Sequence, residues 1–250
     1  MTGKVTEERK YLVETSVACY EVDRNKKLKP SAFLDIAQEA AFGAAEAMFF
    51  GSNGLQAEKF SWVLSRLHFK IFRAPVWKEA IEVSTWSKGP YGPFYLRDFI
   101  VKTKEGEILI SCTTSWLILD LAERRMVRTS ELIKEVPESA LCMENAIETP
   151  ADKISMPKDM EPAMAGTRLV SYSDTDLLGH ANSTKYLIWA MDSVDQDIMA
   201  SRPVKEVRIN YNHEIRPGQE VSLYTSHIGD SYFVEGKVEG KSAFCVRLDF

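Results

Sequence analysis

The chain has 250 residues, of which 45% are hydrophobic and 27% charged, with a formal net charge of −5. That length supports one large domain or two small ones with a sizeable core. The charge repels polyanions and so excludes nucleic acid as a bulk electrostatic partner. The longest basic stretch, "RNKKLK" at 24–29, reads as a solvated turn.

In chain order, the opening MTGKVTEERK lacks the apolar core of a signal peptide, and no run approaches the ~18 apolar residues of a membrane span. A cytoplasmic location without membrane insertion is therefore expected. Residues 30–49, "PSAFLDIAQEAAFGAAEAMF", place a proline at the first helical position. Phe33, Ala37, Ala40, Ala44 and Met48 recur at three- and four-residue steps, which predicts a helix whose small-residue face sits close to a flat partner. Four β-branched, aromatic-rich runs follow: 60–73, 80–87, 94–103 and 107–121, with "GPYGP" and "KEGE" as turns between them. The expected order is strand, helix, then four strands in meander. Residues 134–166 hold four of the ten prolines and no lasting periodicity, so they read as a linker that drapes over a surface.

The first pattern then returns. "TRLVSYSD" predicts a strand, "STKYLIWAMDSVDQDIMA" one helix, and "VKEVRINYNHE", "EVSLYTSHI", "SYFVEGKVE" and "SAFCVRLDF" four more strands. "HFKIFRAPVWKEAIEVST" and "NYNHEIRPGQEVSLYT" correspond across the halves, so the chain reads as two copies of one helix-on-sheet unit. The fold class is α+β, a tandem (double) hotdog in which each unit is a helix wrapped by a curved, mostly antiparallel sheet. The expected bounds are 1–133 for the first unit, 134–166 for the linker and 167–250 for the second unit. Tandem copies supply internally what a dimer otherwise provides, and homodimerisation stays open.

Cys19, Cys112, Cys142 and Cys245 are far apart and form no CxxC pair, and the four histidines lack metal-ligand spacing. No metal and no cofactor are expected. Chemistry concentrates instead in "SYSDTDLLGHANSTKYLIWAMD", from Ser171, at the strand-to-helix junction of the second unit. A helix N-terminus offers unpaired N–H groups and partial positive charge to an oxyanion, and Gly179 permits close approach. Asp176 and His180 flank that point, an acid and an imidazole suited to acyl transfer.

The chain resembles the acyl-acyl-carrier-protein thioesterases of plants and bacteria. In the first half the likeness rests on "YEVDRNKKLKPSAFLDIAQEAA", "WVLSRLHFKIFRAPVWKEAIEVSTW", "RDFIV" and "SWLILDLAERRMVR", and in the second on "SDTDLLGHANSTKYLIWAMD" and "YNHEI". Their "DxxxHxNxxxY" core is shared with single-hotdog acyl-CoA thioesterases. The resemblance implies hydrolysis of the thioester between a fatty acyl chain and acyl carrier protein, ending fatty acid synthesis. The family's Asp-x-Asn-x-His motif falls on Asp176, Leu178 and His180, and its later glutamate on Glu214. Leucine replaces the asparagine, and Ile215 stands where a cysteine adjoins the glutamate. Gly179, Asn182 and Leu178 become substrate-binding candidates. Trp62, Phe69, Trp86 and Trp116 read as core, and Trp62 is also a candidate for lining an acyl tunnel in the first unit.

Each residue has a plainer structural reading. Asp174 and Asp176 suit turns, Asn182 suits a helix N-cap, and Glu214 suits a strand-end charge. Mechanistically, the carbonyl is expected to face amides near Gly179. His180, oriented by a carboxylate, would then act as base on water that Glu214 positions. Direct attack by Asp176 through an anhydride stays open. Because acyl carrier protein is acidic, a Lys and Arg patch is expected at the slot mouth. A coenzyme A thioesterase and a non-catalytic acyl-binding double hotdog are the alternatives.

Overall fold

The computed structural model describes residues 2–47, 59–123, 125–127 and 140–250. Those residues divide into two compact units. One comprises residues up to Ser65 together with Phe69–Ala151, the other Arg66–His68 with Asp152–Phe250.

In the first unit β1 (Gly3–Val5) and β2 (Tyr11–Ser16) precede α1 (Pro30–Ala47). Strands β3 (Phe60–Ile71), β4 (Ala80–Tyr91), β5 (Phe94–Thr103) and β6 (Ile108–Asp120) follow, and a short β7 (Arg125–Val127) pairs with β6. The sheet order is β1-β2-β4-β5-β6-β3. Only β4, β5 and β6 form the expected meander. Strand β2 pairs along β4, from Tyr11 opposite Thr85 to Ser16 opposite Ala80, and so occupies the edge that β3 would have needed. Strand β3 crosses over to pair with β6 instead.

Helix α1 packs on this sheet with the face its spacing predicts. Phe33, Ala37, Ala40 and Ala44 are each at most 5% exposed, while Met48 and residue 49 lie outside the described residues. Small side chains set the close approach. A Cβ on Gly43 would lie 2.7 Å from the Tyr11 hydroxyl. The opposite face of β4 and β5 is covered by residues of the expected linker, whose stretch 134–139 lies outside the described residues. Cys142 N–H donates to Ser87 O (3.0 Å), Trp86 Nε1 to Glu144 O (3.0 Å), and Ala146 N–H to Asp98 Oδ2 (2.8 Å).

In the second unit β8 (Ala163–Leu169) begins four residues earlier than its sequence pattern suggests. It leads through a 3-10 turn (Tyr172–Asp174) to α2 (Ser183–Asp192) and α3 (Gln196–Ser201), then to β9 (Glu206–Tyr211), β10 (Glu220–Ile228), β11 (Ser231–Val238) and β12 (Lys241–Asp249). The single helix expected over 183–200 is therefore two. Ser193 ends α2, and the Asp195 carboxylate starts α3 by accepting the N–H groups of Asp197 and Ile198, so it competes with helix continuation. The sheet order is β9-β12-β11-β10-β8.

The two orders are the same topology. The strand before the helix pairs with the second strand after it, and the first strand after the helix pairs with the last. Each unit is a helix on a bulged antiparallel sheet, so the chain is a double hotdog of α+β class.

The repeat extends to single hydrogen bonds. Isolated bridges Val22–Leu28 and Thr175–Ala181 close the loop ahead of each helix. In the first unit Asp23 N–H donates to Lys27 O, Lys26 N–H to Asp23 O, Leu28 N–H to Pro75 O and Lys29 N–H to Glu21 O. In the second, Asp176 N–H donates to His180 O, Gly179 N–H to Asp176 O, Ala181 N–H to Ile215 O and Asn182 N–H to Asp174 O. These bonds pair the two loops residue by residue and supply an internal control for the site.

Candidate active site

The second unit's loop is built by carboxylates acting on backbone. Asp174 Oδ2 accepts the Ser171 N–H at 2.9 Å, and its Oδ1 lies 3.4 Å from Lys185 Nζ, which makes Asp174 a turn and helix-start residue. Asp176 Oδ1 accepts the N–H groups of Leu178 (2.9 Å) and His180 (3.4 Å). Among the described residues its Oδ2 has no hydrogen bond. Asp23 makes the same turn in the first unit, accepting from Asn25 (2.8 Å) and Lys27 (3.0 Å). Gly179 adopts φ +75°, the left-handed region in which glycine is unstrained.

The turn delivers His180 to Glu214. Nε2 of the imidazole lies 3.3 Å from Glu214 Oε2, with the His180 side chain 22% and the Glu214 side chain 46% exposed. Glu214 is not on a strand: β9 ends at Tyr211, and Glu214 lies in the connection to β10. Ala181 N–H donates to Ile215 O at 2.8 Å and ties that connection to the histidine's own segment. The hydrogen-bond pairing puts Lys27 and Ala74 at the equivalent places in the first unit. The imidazole–carboxylate pair exists in one copy of the repeat.

The other sequence candidates separate. Leu178 contributes its N–H to the Asp176 turn, and the residue is 68% exposed, so it packs little. Asn182 is the N-cap of α2, its Oδ1 accepting the Thr184 N–H at 3.0 Å, which engages its oxygen and not its amide Nδ2. The Gly179 amide, expected to face a carbonyl, donates to Asp176 O at 3.0 Å because the turn closes on itself. Trp62 lies in the other unit, on β3, with its ring 5.1 Å from that of Tyr95. Sequence reasoning placed no role on Tyr186, although its "DxxxHxNxxxY" pattern contains it. That side chain is buried on α2, with its ring against Trp189, Tyr211 and Phe244. Among the described residues no three His, Cys, Asp or Glu side chains are grouped to hold a metal ion. Cys112, Cys142 and Cys245 are buried, whereas Cys19 is exposed.

Fold and loop together define a double-hotdog protein with an imidazole–carboxylate pair in its second unit. The chain belongs to the acyl-ACP thioesterase family: sequence models of that family's N-terminal and C-terminal domains match residues 8–136 and 159–244. It is 26% identical over 228 residues to oleoyl-acyl carrier protein thioesterase 2, chloroplastic, of Arabidopsis thaliana, covering 84% of this chain and 61% of the relative. It is 24% identical over 227 residues to a dodecanoyl-[acyl-carrier-protein] hydrolase, chloroplastic, of Cinnamomum camphora, covering 86% and 59%. The chain thus spans about six-tenths of the length of such relatives. Among solved structures, an acyl-ACP thioesterase from Bacteroides thetaiotaomicron superposes with TM-score 0.82 at 24% identity, covering 98% of each chain. The 12:0-ACP thioesterase from Umbellularia californica superposes with TM-score 0.84 at 21% identity, covering 96% of each.

Proposed function

We propose that this chain hydrolyses the thioester of fatty acyl-acyl carrier protein and releases the free fatty acid. The observation that carries the proposal is the His180–Glu214 pair, set on a turn that the first unit repeats without it. Nε2 lies 3.3 Å from Glu214 Oε2, so Nδ1 is the ring nitrogen left to take a proton from water attacking the thioester carbon. Glu214 stabilises the imidazolium that forms. Asp176 adds a carboxylate whose Oδ2 is not consumed by the turn, as an electrostatic partner or as a nucleophile. In this reading the acyl chain lies in the first unit against α1 and the sheet, near Trp62, each buried methylene contributing about 0.8 kcal/mol. The domain division, with acyl binding in residues 1–133 and chemistry in 167–250, belongs to the same proposal. So do the acidic carrier as partner and a cytoplasmic location; no helix among the described residues is long and apolar enough to cross a membrane.

The test is steady-state hydrolysis by the purified protein of one acyl chain presented on acyl carrier protein and on coenzyme A, repeated over a series of chain lengths. Higher kcat/KM on the protein carrier is expected. A preference for coenzyme A would move the assignment to the acyl-CoA thioesterases. Tight acyl binding without turnover would make the chain a binding protein.

A further inference from the structure

We infer that the tip of the second unit's loop, Leu177 and Leu178, is a docking surface for the folded acyl carrier protein; the inference rests on the hydrolase reading above. Leu177 is 96% and Tyr172 93% exposed, the two highest values among the large hydrophobic residues described, and Leu178 is 68% exposed. Exposed leucines that occur singly are ordinary on a protein surface. Three large apolar residues between positions 172 and 178 form a patch left open to water. The tip is held rigidly. Gly179 N–H donates to Asp176 O at 3.0 Å, Asp176 N–H to His180 O at 2.9 Å, and the Asp176 carboxylate accepts the Leu178 N–H at 2.9 Å. The backbone of both leucines is therefore locked to that of His180, whose side chain meets Glu214.

The first unit shows that the turn does not need leucine. The bonds that match Asp23 to Asp176 and Lys27 to His180 put Arg24 and Asn25 in the places of Leu177 and Leu178. Both are exposed, and the turn closes with the same carboxylate-to-backbone bond. The apolar tip occurs in the unit that carries the imidazole–carboxylate pair. Whatever brings a thioester to His180 must approach this loop. An alkyl chain gains by being enclosed, and a convex tip open to water on nearly every side encloses nothing. A folded carrier, by contrast, can take a projecting leucine into a depression of its own surface and bury it. The nucleotide end of coenzyme A is polar and offers no such depression. Charge points the same way. Exposed Arg216 lies on the connection that Ala181 N–H clamps to this loop through Ile215 O (2.8 Å), and it suits an acidic partner.

The test measures binding of acyl carrier protein, bearing its thiol arm but no acyl chain, to the full chain and to Leu177→Ser, Leu177→Met and Arg216→Glu. Leu177 buries almost nothing and a polar residue fills its place in the first unit, so folding should survive, and a thermal melt checks it. Kd should rise roughly tenfold or more in Leu177→Ser, because the apolar contact is lost. It should return to within about twofold of the parent in Leu177→Met, which keeps that contact. Arg216→Glu should weaken binding at low salt and less at high salt. With one acyl chain on both carriers, the ratio of kcat/KM on acyl carrier protein to that on coenzyme A should fall by the same factor in Leu177→Ser. Parent-like affinity in Leu177→Ser, or no carrier binding by the parent, overturns the inference. So does an equal loss on both carriers, which would make Leu177 a contact to the part they share. Self-association, or attachment to anionic lipid vesicles, that disappears in Leu177→Ser while carrier affinity stays would give the tip to a second copy or to a membrane instead. Failure of the hydrolase reading looks different: carrier binding that depends on Leu177, with no turnover by the parent, keeps the docking surface and removes the hydrolysis.

Discussion

The Asp176 carboxylate accepts two backbone N–H groups through one oxygen, and asparagine would offer that same oxygen in the same place. Asp176→Asn therefore separates charge from turn. The turn alone does not require a chemical role, because Asp23 makes it in the first unit. The unengaged Oδ2 does argue for one. Asp176→Asn and His180→Ala are each expected to lower kcat by about a hundredfold or more, with little change in melting temperature. A rate near wild type in Asp176→Asn would confine that residue to the turn. Leu178 gives a complementary test. Asn25 occupies its position in the first unit and makes the same backbone bond, so asparagine fits this turn without strain. Leu178 buries little, so Leu178→Asn should leave stability within about 0.5 kcal/mol. It should raise kcat by about tenfold or more if a positioned amide is what the site lacks. An unchanged or lower rate in the folded variant would show that the chemistry does not use an amide there.

Strands β11 and β12 pack directly against α2, the helix that follows the site's loop. Gly236 pairs with Phe244, and a Cβ at Gly236 would lie 2.0 Å from a ring atom of Phe244. That ring is fully buried and packs against Tyr186 and Trp189 on α2, so it has no free direction in which to move. Gly236→Ala is expected to destabilise by about 1–3 kcal/mol through overpacking. Denaturant titration reads the effect. Nothing in the sequence pattern marks Gly236, because the constraint comes from a residue eight positions away on the next strand. Elements with a local signal are legible: α1 shows its buried face in three- and four-residue steps, and β4, β5 and β6 are β-branched and aromatic runs set between turn signals. The crossover of β3 to β6 is not, since strand partners are chosen by which edges other strands leave open. The break between α2 and α3 was missed because the Asp195 cap competes with a pattern that still looks helical. At the site, His180, Asp176 and Glu214 could be named from residue types in order. That Asp23 repeats the Asp176 turn in the first unit, and that Glu214 lies beyond the end of β9, depend on loop geometry that spacing does not carry.

The duplicated framework divides its demands unevenly: among the described residues the buried Arg97, Asp98 and Asp120 lie in the first unit. Arg97 and Asp98 are adjacent on β5 and therefore face opposite sides of the sheet. Arg97 donates to the hydroxyls of Thr85 (3.3 Å) and Ser87 (3.1 Å), and burial pushes its pKa down to about 10, so it remains charged at neutral pH. Asp98, 0% exposed, accepts the Ala146 N–H and lies 3.3 Å from Lys88 Nζ. Burial nevertheless raises its pKa, outweighing the Thr113, Ala146 and Lys88 contacts, which act the other way. A carboxyl whose folded pKa is raised binds more protons in the native state than in the unfolded one. Its contribution to stability is therefore greatest below the ordinary Asp pKa of about 3.9 and declines as pH rises through the folded value. Glu79 works in the opposite sense. Arg73 hydrogen-bonds its carboxylate and lowers its pKa, so that stabilisation is present above the ordinary glutamate range and fades as pH falls. The two slopes can be separated by substitution. Asparagine at 98 can still accept the Ala146 N–H but cannot ionise. Asp98→Asn should therefore gain on the wild type as pH rises from about 4 through the folded pKa, while acid destabilisation at lower pH persists in both through Glu79. Urea denaturation of the two proteins across that range measures the difference directly. A stability difference that stays flat with pH would mean that Asp98 titrates alike in the folded and unfolded chains, and that Lys88 and Ala146 compensate its burial fully.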